Sequence, residues 1–155
     1  MQPKIDEPDE EHRRELRRNV FEITRLRMSG RIDEMMRYFA RDVVVRYHGT
    51  KEGLFLPGVL HGRDAFKENI RLTDVNYEPL GGEVLAILVD GPKSSVRWRN
   101  SWRHRNSGRT ATLDMAHFLY WRNGKVVEMF EYLDYHSWGR SAAEALIERD
   151  DPRPR

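Results

Sequence analysis

The stretch Thr112–His136, TLDMAHFLYWRNGKVVEMFEYLDYH, decides how this chain is read. Two strand-like runs, Leu113–Trp121 and Val126–Tyr135, flank the turn signal Arg122-Asn123-Gly124-Lys125. Successive side chains of a strand point to opposite faces of its sheet. In the first run the odd positions are Leu113, Met115, His117, Leu119 and Trp121. In the second they are Val127, Met129, Glu131, Leu133 and Tyr135. Each series is mostly apolar, with a histidine inside one and a carboxylate inside the other. If the two share a buried face, the hairpin carries an acid/base pair in apolar surroundings.

The turn is what couples the two runs. An Asn-Gly pair most often makes a two-residue type I′ loop, which pairs Trp121 with Val126 and turns Glu131 away from His117. A three-residue loop, Arg122-Asn123-Gly124 with a left-handed Gly124 in a bulge, pairs Trp121 with Lys125 instead. It also sets His117 against Met129, Met115 against Glu131 and Leu113 against Leu133. A one-residue slip exchanges faces, so the two readings exclude each other. The three-residue loop joins two largely apolar series on one face, and the pattern favours it.

Upstream, Ser95–Arg105 alternates most cleanly. Val96, Trp98, Asn100 and Trp102 share one face, and Arg97, Arg99, Ser101, Arg103 and Arg105 the other. A loop at Asn106–Arg109 pairs Trp102 with Leu113, Asn100 with Met115 and Trp98 with His117, so the central row runs Asn100, Met115, Glu131. The arginines read as exposed or paired with Asp114 and Glu128 on neighbouring strands rather than as a nucleic-acid stripe. Glu83–Asp90 reads as a short strand covered on both faces. Asp42–Tyr47 reads as a strand with Val43, Val45 and Tyr47 on one side.

Three helices precede or separate these strands. The first starts at Asp9, ends at Ser29-Gly30, and carries Leu16, Val20 and Ile23 as a stripe widened by Phe21 and Leu26. The second spans about Ile32–Phe39, its methionines serving as core filler. The third opens at Gly62-Arg63-Asp64-Ala65 and turns Phe66 and Ile70 inward. Thr50–His61 reads as an apolar loop lying over a pocket mouth. The chain thus divides into a loose arm at 1–8, a single domain at 9–149, and a disordered tail at 150–155.

Composition removes several function classes. The 155 residues hold 27 basic and 25 acidic side chains, a formal charge of only +2, without the concentrated basic face that nucleic acid requires. No cysteine is present, which excludes disulfides and thiol chemistry. The longest aliphatic run, Val84–Val89, is far too short to span a bilayer, and no N-terminal apolar stretch resembles a signal peptide. A soluble cytoplasmic protein with no nucleic-acid or membrane partner is expected. The histidines show no metal-ligand spacing, so no metal and no other cofactor are expected.

Helix, helix, strand, helix and then an antiparallel meander is an α+β pattern, a curved antiparallel sheet wrapped around three N-terminal helices. In this order the chain resembles the nuclear transport factor 2-like superfamily, specifically its SnoaL-like branch. The residues carrying the resemblance are Tyr38-Phe39-Ala40-Arg41-Asp42, Gly62-Arg63-Asp64-Ala65, His117, Gly124-Lys125-Val126 and Phe130-Glu131-Tyr132-Leu133-Asp134. The likeness implies a cone-shaped barrel with an internal apolar pocket. Its walls would be Val45, Trp98, Trp102, Leu113, Met115, Met129 and Leu133, holding a small, mostly apolar ligand. It further implies a carboxylate base at Glu131, assisted by His117, with Tyr47 and Asn100 as donors to a substrate oxygen. The catalytic arginine and second aspartate of the related limonene epoxide hydrolases fall at Trp98 and Asn100, and the base and oxyanion tyrosine of the ketosteroid isomerases at Tyr47 and Ile23. Neither of those two activities is implied.

The reaction classes that fit are isomerase, cyclase or hydrolase chemistry without a cofactor. A carboxylate on an apolar wall loses solvation and becomes a better base toward carbon acids. The rival reading is a Glu131–His117 pair that only satisfies itself inside a binding or assembly module. On the opposite sheet face Ala116, Phe118, Tyr120, Phe130 and Tyr132 form a patch too aromatic to leave in water, which predicts a homodimer.

Overall fold

The structure, a computed structural model, describes residues 7–48 and 58–133. The expected arm lies outside the described residues except for 7 and 8. So do the tail, positions 50–57 of the expected apolar loop, and Asp134, Tyr135 and His136. The elements are α1 (Glu7–Met28), α2 (Ile32–Met36), β1 (Phe39–His48), β2 (Val59–His61), α3 (Arg63–Asn76), β3 (Tyr77–Asp90), β4 (Lys93–His104), β5 (Thr110–Arg122) and β6 (Lys125–Leu133). The fold is α+β, with three helices among the described residues set against a curved, unclosed six-stranded sheet ordered β2-β1-β6-β5-β4-β3. All neighbours are antiparallel except β1 and β6, which run parallel.

Helical spacing carries α1 onto the sheet. Leu16, Val20, Ile23 and Leu26 recur at three and four residues and are all buried. Phe21 does not widen this stripe: one step of about 100° from Val20 turns it outward, and it is half exposed. The second helix stops at Met36, and two residues, Arg37 and Tyr38, separate it from β1 at Phe39. Phe39 is still core, 1 % exposed, and meets Phe66 of α3 edge-on at 5.1 Å. Part of the expected loop, Val59–His61, is a short edge strand paired with β1. The β3 strand is longer than its sequence suggested and lies at the sheet edge, so it is not covered on both faces; Leu88 is 69 % exposed.

The decisive turn is the two-residue one. Asn123 and Gly124 both have positive φ, 50° and 71°, the type I′ requirement. Trp121 therefore pairs with Val126, not with Lys125. Yet the expected consequence does not follow. Beyond this pair the register shifts, because Tyr120 opposes Glu128 and Val127 is left over as a bulge. The extra residue flips the rest of β6 by one step. Leu119 then opposes Met129, His117 opposes Glu131 and Met115 opposes Leu133. The two odd series share a face after all, displaced by two residues from the expected register.

The β4–β5 pairing is also displaced by two. The connection is longer than Asn106–Arg109, with Arg103 opposite Thr110, so Trp98 opposes Met115, Asn100 opposes Leu113 and Val96 opposes His117. An even displacement leaves every face unchanged. On the outer face Asp114 accepts hydrogen bonds from Arg97 at 2.9 Å and Arg99 at 2.8 Å. Glu128 is paired with Arg46 of β1 rather than with the β4 arginines, at 2.8 Å.

Hydrogen bonds from Arg99 and Arg97 hold the Asp114 carboxyl below the ordinary carboxylate range. A depressed folded-state value stabilises the protein above the unfolded value and is lost as pH falls through the folded one. Asp114→Asn should therefore melt slightly below the parent at neutral pH, the gap closing as pH drops below about 4. The effect should be small, since the pair sits in solvent. Melting curves at stepped pH check it; a gap that widens in acid would contradict it.

Candidate functional site

Register places the site. One cross-strand row on the inner face runs Tyr47, Glu131, His117, Val96 and Ile87 through β1, β6, β5, β4 and β3. Glu131 is thus flanked directly by His117 and Tyr47. His117 Nε2 lies 3.1 Å from Glu131 Oε2, with side-chain exposures of 11 % and 14 %. The pair is neither sealed in the core nor on the surface. The Trp98 ring meets the His117 ring edge-on at 5.5 Å and fixes its plane. Val45, Met129, Trp98 and Met115 on adjacent inner-face positions are buried, which makes the wall apolar.

The other expected donors are placed differently. Tyr47 donates its hydroxyl to Asn69 Oδ1 of α3 at 2.8 Å, so its proton already points at the helix. Asn100 is fully buried four residues along β4 from Val96, roughly 13 Å from the dyad row. Its Nδ2 donates to Met115 Sδ at 2.6 Å. Its Oδ1 fills the space where Gly82 would carry a side chain, 2.8 Å from an ideal Cβ there. Trp102 and Leu113 sit in a second small cluster with Tyr77, against which Leu133 packs. Seven wall residues and the dyad thus share one face, but Asn100 is not beside Glu131.

The Gly82 contact has a measurable consequence. A methyl at that position would meet both Asn100 Oδ1 and the Arg99 carbonyl, the latter at 3.2 Å. Gly82→Ala should cost about 1–3 kcal/mol through overpacking. Urea denaturation measures it, and a variant as stable as the parent would show that Asn100 moves aside freely.

Asn69 was missed in the sequence. Its signal was there: it stands three residues after Phe66 and one before Ile70, a polar group on the inward side of α3. Among the described residues no three His, Asp or Glu side chains gather as a metal site. A separate cleft of about 310 Å³ opens between α1, α2 and the β5–β6 turn, lined by Glu22, Arg25, Glu34, Arg37, Tyr38 and Lys125. It is polar and does not touch the dyad.

The model of the SnoaL-like domain family matches residues 20–129, which contain both α3 and the hairpin as far as Met129. The chain belongs to this SnoaL-like domain family. Solved structures agree on the fold. A candidate SnoaL-like polyketide cyclase from Mesorhizobium loti is 21 % identical with a TM-score of 0.62, the match covering 76 % of this chain and 97 % of that one. A candidate isomerase from Bacillus subtilis reaches a TM-score of 0.71 at 10 % identity, covering 81 % and 94 %. A candidate polyketide cyclase from Xanthomonas campestris is 18 % identical, with a TM-score of 0.67 and coverage of 83 % and 96 %. None of the curated proteins compared with the chain matches it. Within the SnoaL-like frame the dyad is held on two adjacent strands, which gives its two side chains a rigid mounting. No helix among the described residues is long and apolar enough to cross a membrane.

Proposed function

We propose that this SnoaL-like protein is a cofactor-independent acid/base enzyme for a small, mostly apolar molecule bound beneath the sheet. The observation that carries the reading is the Glu131–His117 contact at 3.1 Å, partly accessible on an otherwise apolar wall. Glu131 takes the role of base, removing a proton from a carbon next to a carbonyl. His117 Nε2, in its protonated tautomer, donates to Oε2 and orients the carboxylate. The Oε1 atom, which bonds no described residue, then faces the substrate. Tyr47 acts as a donor to the substrate only by leaving Asn69, so it serves first as a wall and a brace.

Proton abstraction leaves a direct trace. Small enolisable ketones, incubated with the protein in deuterated buffer, should lose their α-proton NMR signals faster than in buffer alone. The rate should rise in proportion to protein concentration. Ligands that shift the protein's resonances yet exchange no faster than in buffer would defeat the enzyme reading. That result would favour the binding module, which the self-satisfied dyad also suits.

A further inference from the structure

We propose that the polar cleft between α1, α2 and the β5–β6 turn is a binding site in its own right, one that holds a small organic phosphate monoester by its dianionic head. Three separate parts of the chain build the cleft, and hydrogen bonds tie two of them together. The Lys125 ammonium donates to the Arg37 carbonyl, and the Val126 N–H donates to the Tyr38 carbonyl at 2.8 Å. On the α1 side Leu26, buried, lines the cleft between polar neighbours. The volume of about 310 Å³ lies at the lower end of small-molecule pockets. It has room for a small organic body beyond a bare ion.

Charge selects the ligand. Both carboxylates of the cleft are already taken. Glu22 accepts from Arg25 Nε at 3.0 Å and from its Nη2 at 2.8 Å, and Glu34 accepts both ends of the Arg31 fork, the Nε end at 2.6 Å. The Arg25 hydrogen bonds hold the Glu22 carboxyl below the ordinary carboxylate range, so the pair stays ionised at neutral pH. Arg37 and Lys125 are left over. The Arg37 guanidinium donates to no described residue, and Asp33, close enough to feel its charge, is bonded to Lys67 at 2.5 Å. Lys125 spends one of its three N–H groups on the Arg37 carbonyl, which sets the two cations at one end of the cleft. Arg25, Arg31, Arg37 and Lys125 against Glu22 and Glu34 leave a surplus of two positive charges. A phosphate monoester carries about −1.5 to −2 near pH 7, which matches that surplus, whereas a monocarboxylate carries half of it. Donor count agrees. Tyr38 and Asn19 add a hydroxyl and an amide that bond no described residue. With the guanidinium fork and the ammonium they exceed the two oxygens of a carboxylate and suit the three of a phosphoryl group.

Titration of the whole chain with phenyl phosphate, followed through its backbone amide NMR signals, tests the proposal beside benzoate and inorganic phosphate. Phenyl phosphate should shift the Tyr38, Gly124 and Lys125 amides saturably and bind about tenfold more tightly than either control. Arg37→Gln should weaken it about tenfold, the worth of one charge-assisted contact, and leave the melting temperature unchanged because the side chain holds no described residue. Lys125→Gln should weaken it as much, and keeps the test sound through a different group. Arg103→Gln removes the same charge at the far end of β5 from the turn, opposite Thr110, and should bind as the parent does. Absence of a saturable shift at the cleft overturns the proposal. So does a loss in Arg103→Gln equal to that in Arg37→Gln, which would reduce the effect to the field of the whole molecule. Benzoate binding as tightly would refute the dianionic head, and inorganic phosphate binding as tightly would mean an adventitious ion only.

Discussion

Glu131→Gln should slow protein-catalysed exchange of a ketone α-proton by about 10²–10⁴-fold, the usual worth of a positioned general base. The substitution keeps size, shape and one oxygen able to accept from His117 Nε2. It removes only the capacity to take a proton from carbon. Because the side chain is 14 % exposed and has a single described partner at 3.1 Å, melting temperature should move by a few degrees at most. His117→Ala should slow exchange less, since it removes the group that orients the base, not the base. Two measurements separate the readings: the exchange rate in deuterated buffer and the thermal melt. A Gln variant that keeps the parent rate removes Glu131 from the chemistry. One that keeps its ligand affinity but melts far lower marks the dyad as structural.

Phe39→Ala should be the most damaging single truncation in the core. The ring is 1 % exposed, sits where α2 hands over to β1, and meets Phe66 edge-on at 5.1 Å. Its strand partner is Val126, itself fully buried beside the turn. Loss of a buried aromatic ring costs about 3–5 kcal/mol, against a total stability of about 5–15 kcal/mol for a domain. Urea denaturation should show the midpoint falling with little change in slope. A loss under about 1 kcal/mol would mean that α2 collapses into the space, and that the helix is loosely held.

Much of this architecture was legible because the physical signals are local and periodic. Alternation identified the inner faces of β4, β5 and β6, and helical spacing identified Leu16, Val20 and Ile23 as core. Dyad adjacency was anticipated on the right face through the wrong register. The Asn-Gly dipeptide favoured its common loop, and the compensating bulge at Val127 left no mark in the sequence: Val-Val-Glu alternates no differently from its neighbours. The β4–β5 pairing slipped for a related reason, since alternation fixes which face a residue takes and is silent about displacements of two. Tyr47 opposite Glu131 depended on a parallel pairing between strands some eighty positions apart, which no local pattern reports. The contact between Asn100 and Gly82 depended on three-dimensional proximity alone.

The bulge at Val127 behaves as a correction to a reading frame. A strand has a frame of two, inside and outside, and every residue beyond a one-residue change is misread. Here the turn places the second strand out of frame, and Val127 restores it before Met129 and Glu131 are reached. The hairpin therefore contains two frame-setting points, and they are interchangeable. A three-residue loop with a regular strand points Glu131 inward just as a two-residue loop with a bulge does. Removing Val127 itself leaves Val126 inward, Glu128 outward and Glu131 inward. A residue lost between Met129 and Glu131 has no second point left to repair it, and Glu131 leaves the inner face of the sheet. Chain length in this hairpin is thus free to vary near the turn, and fixed from Met129 onward.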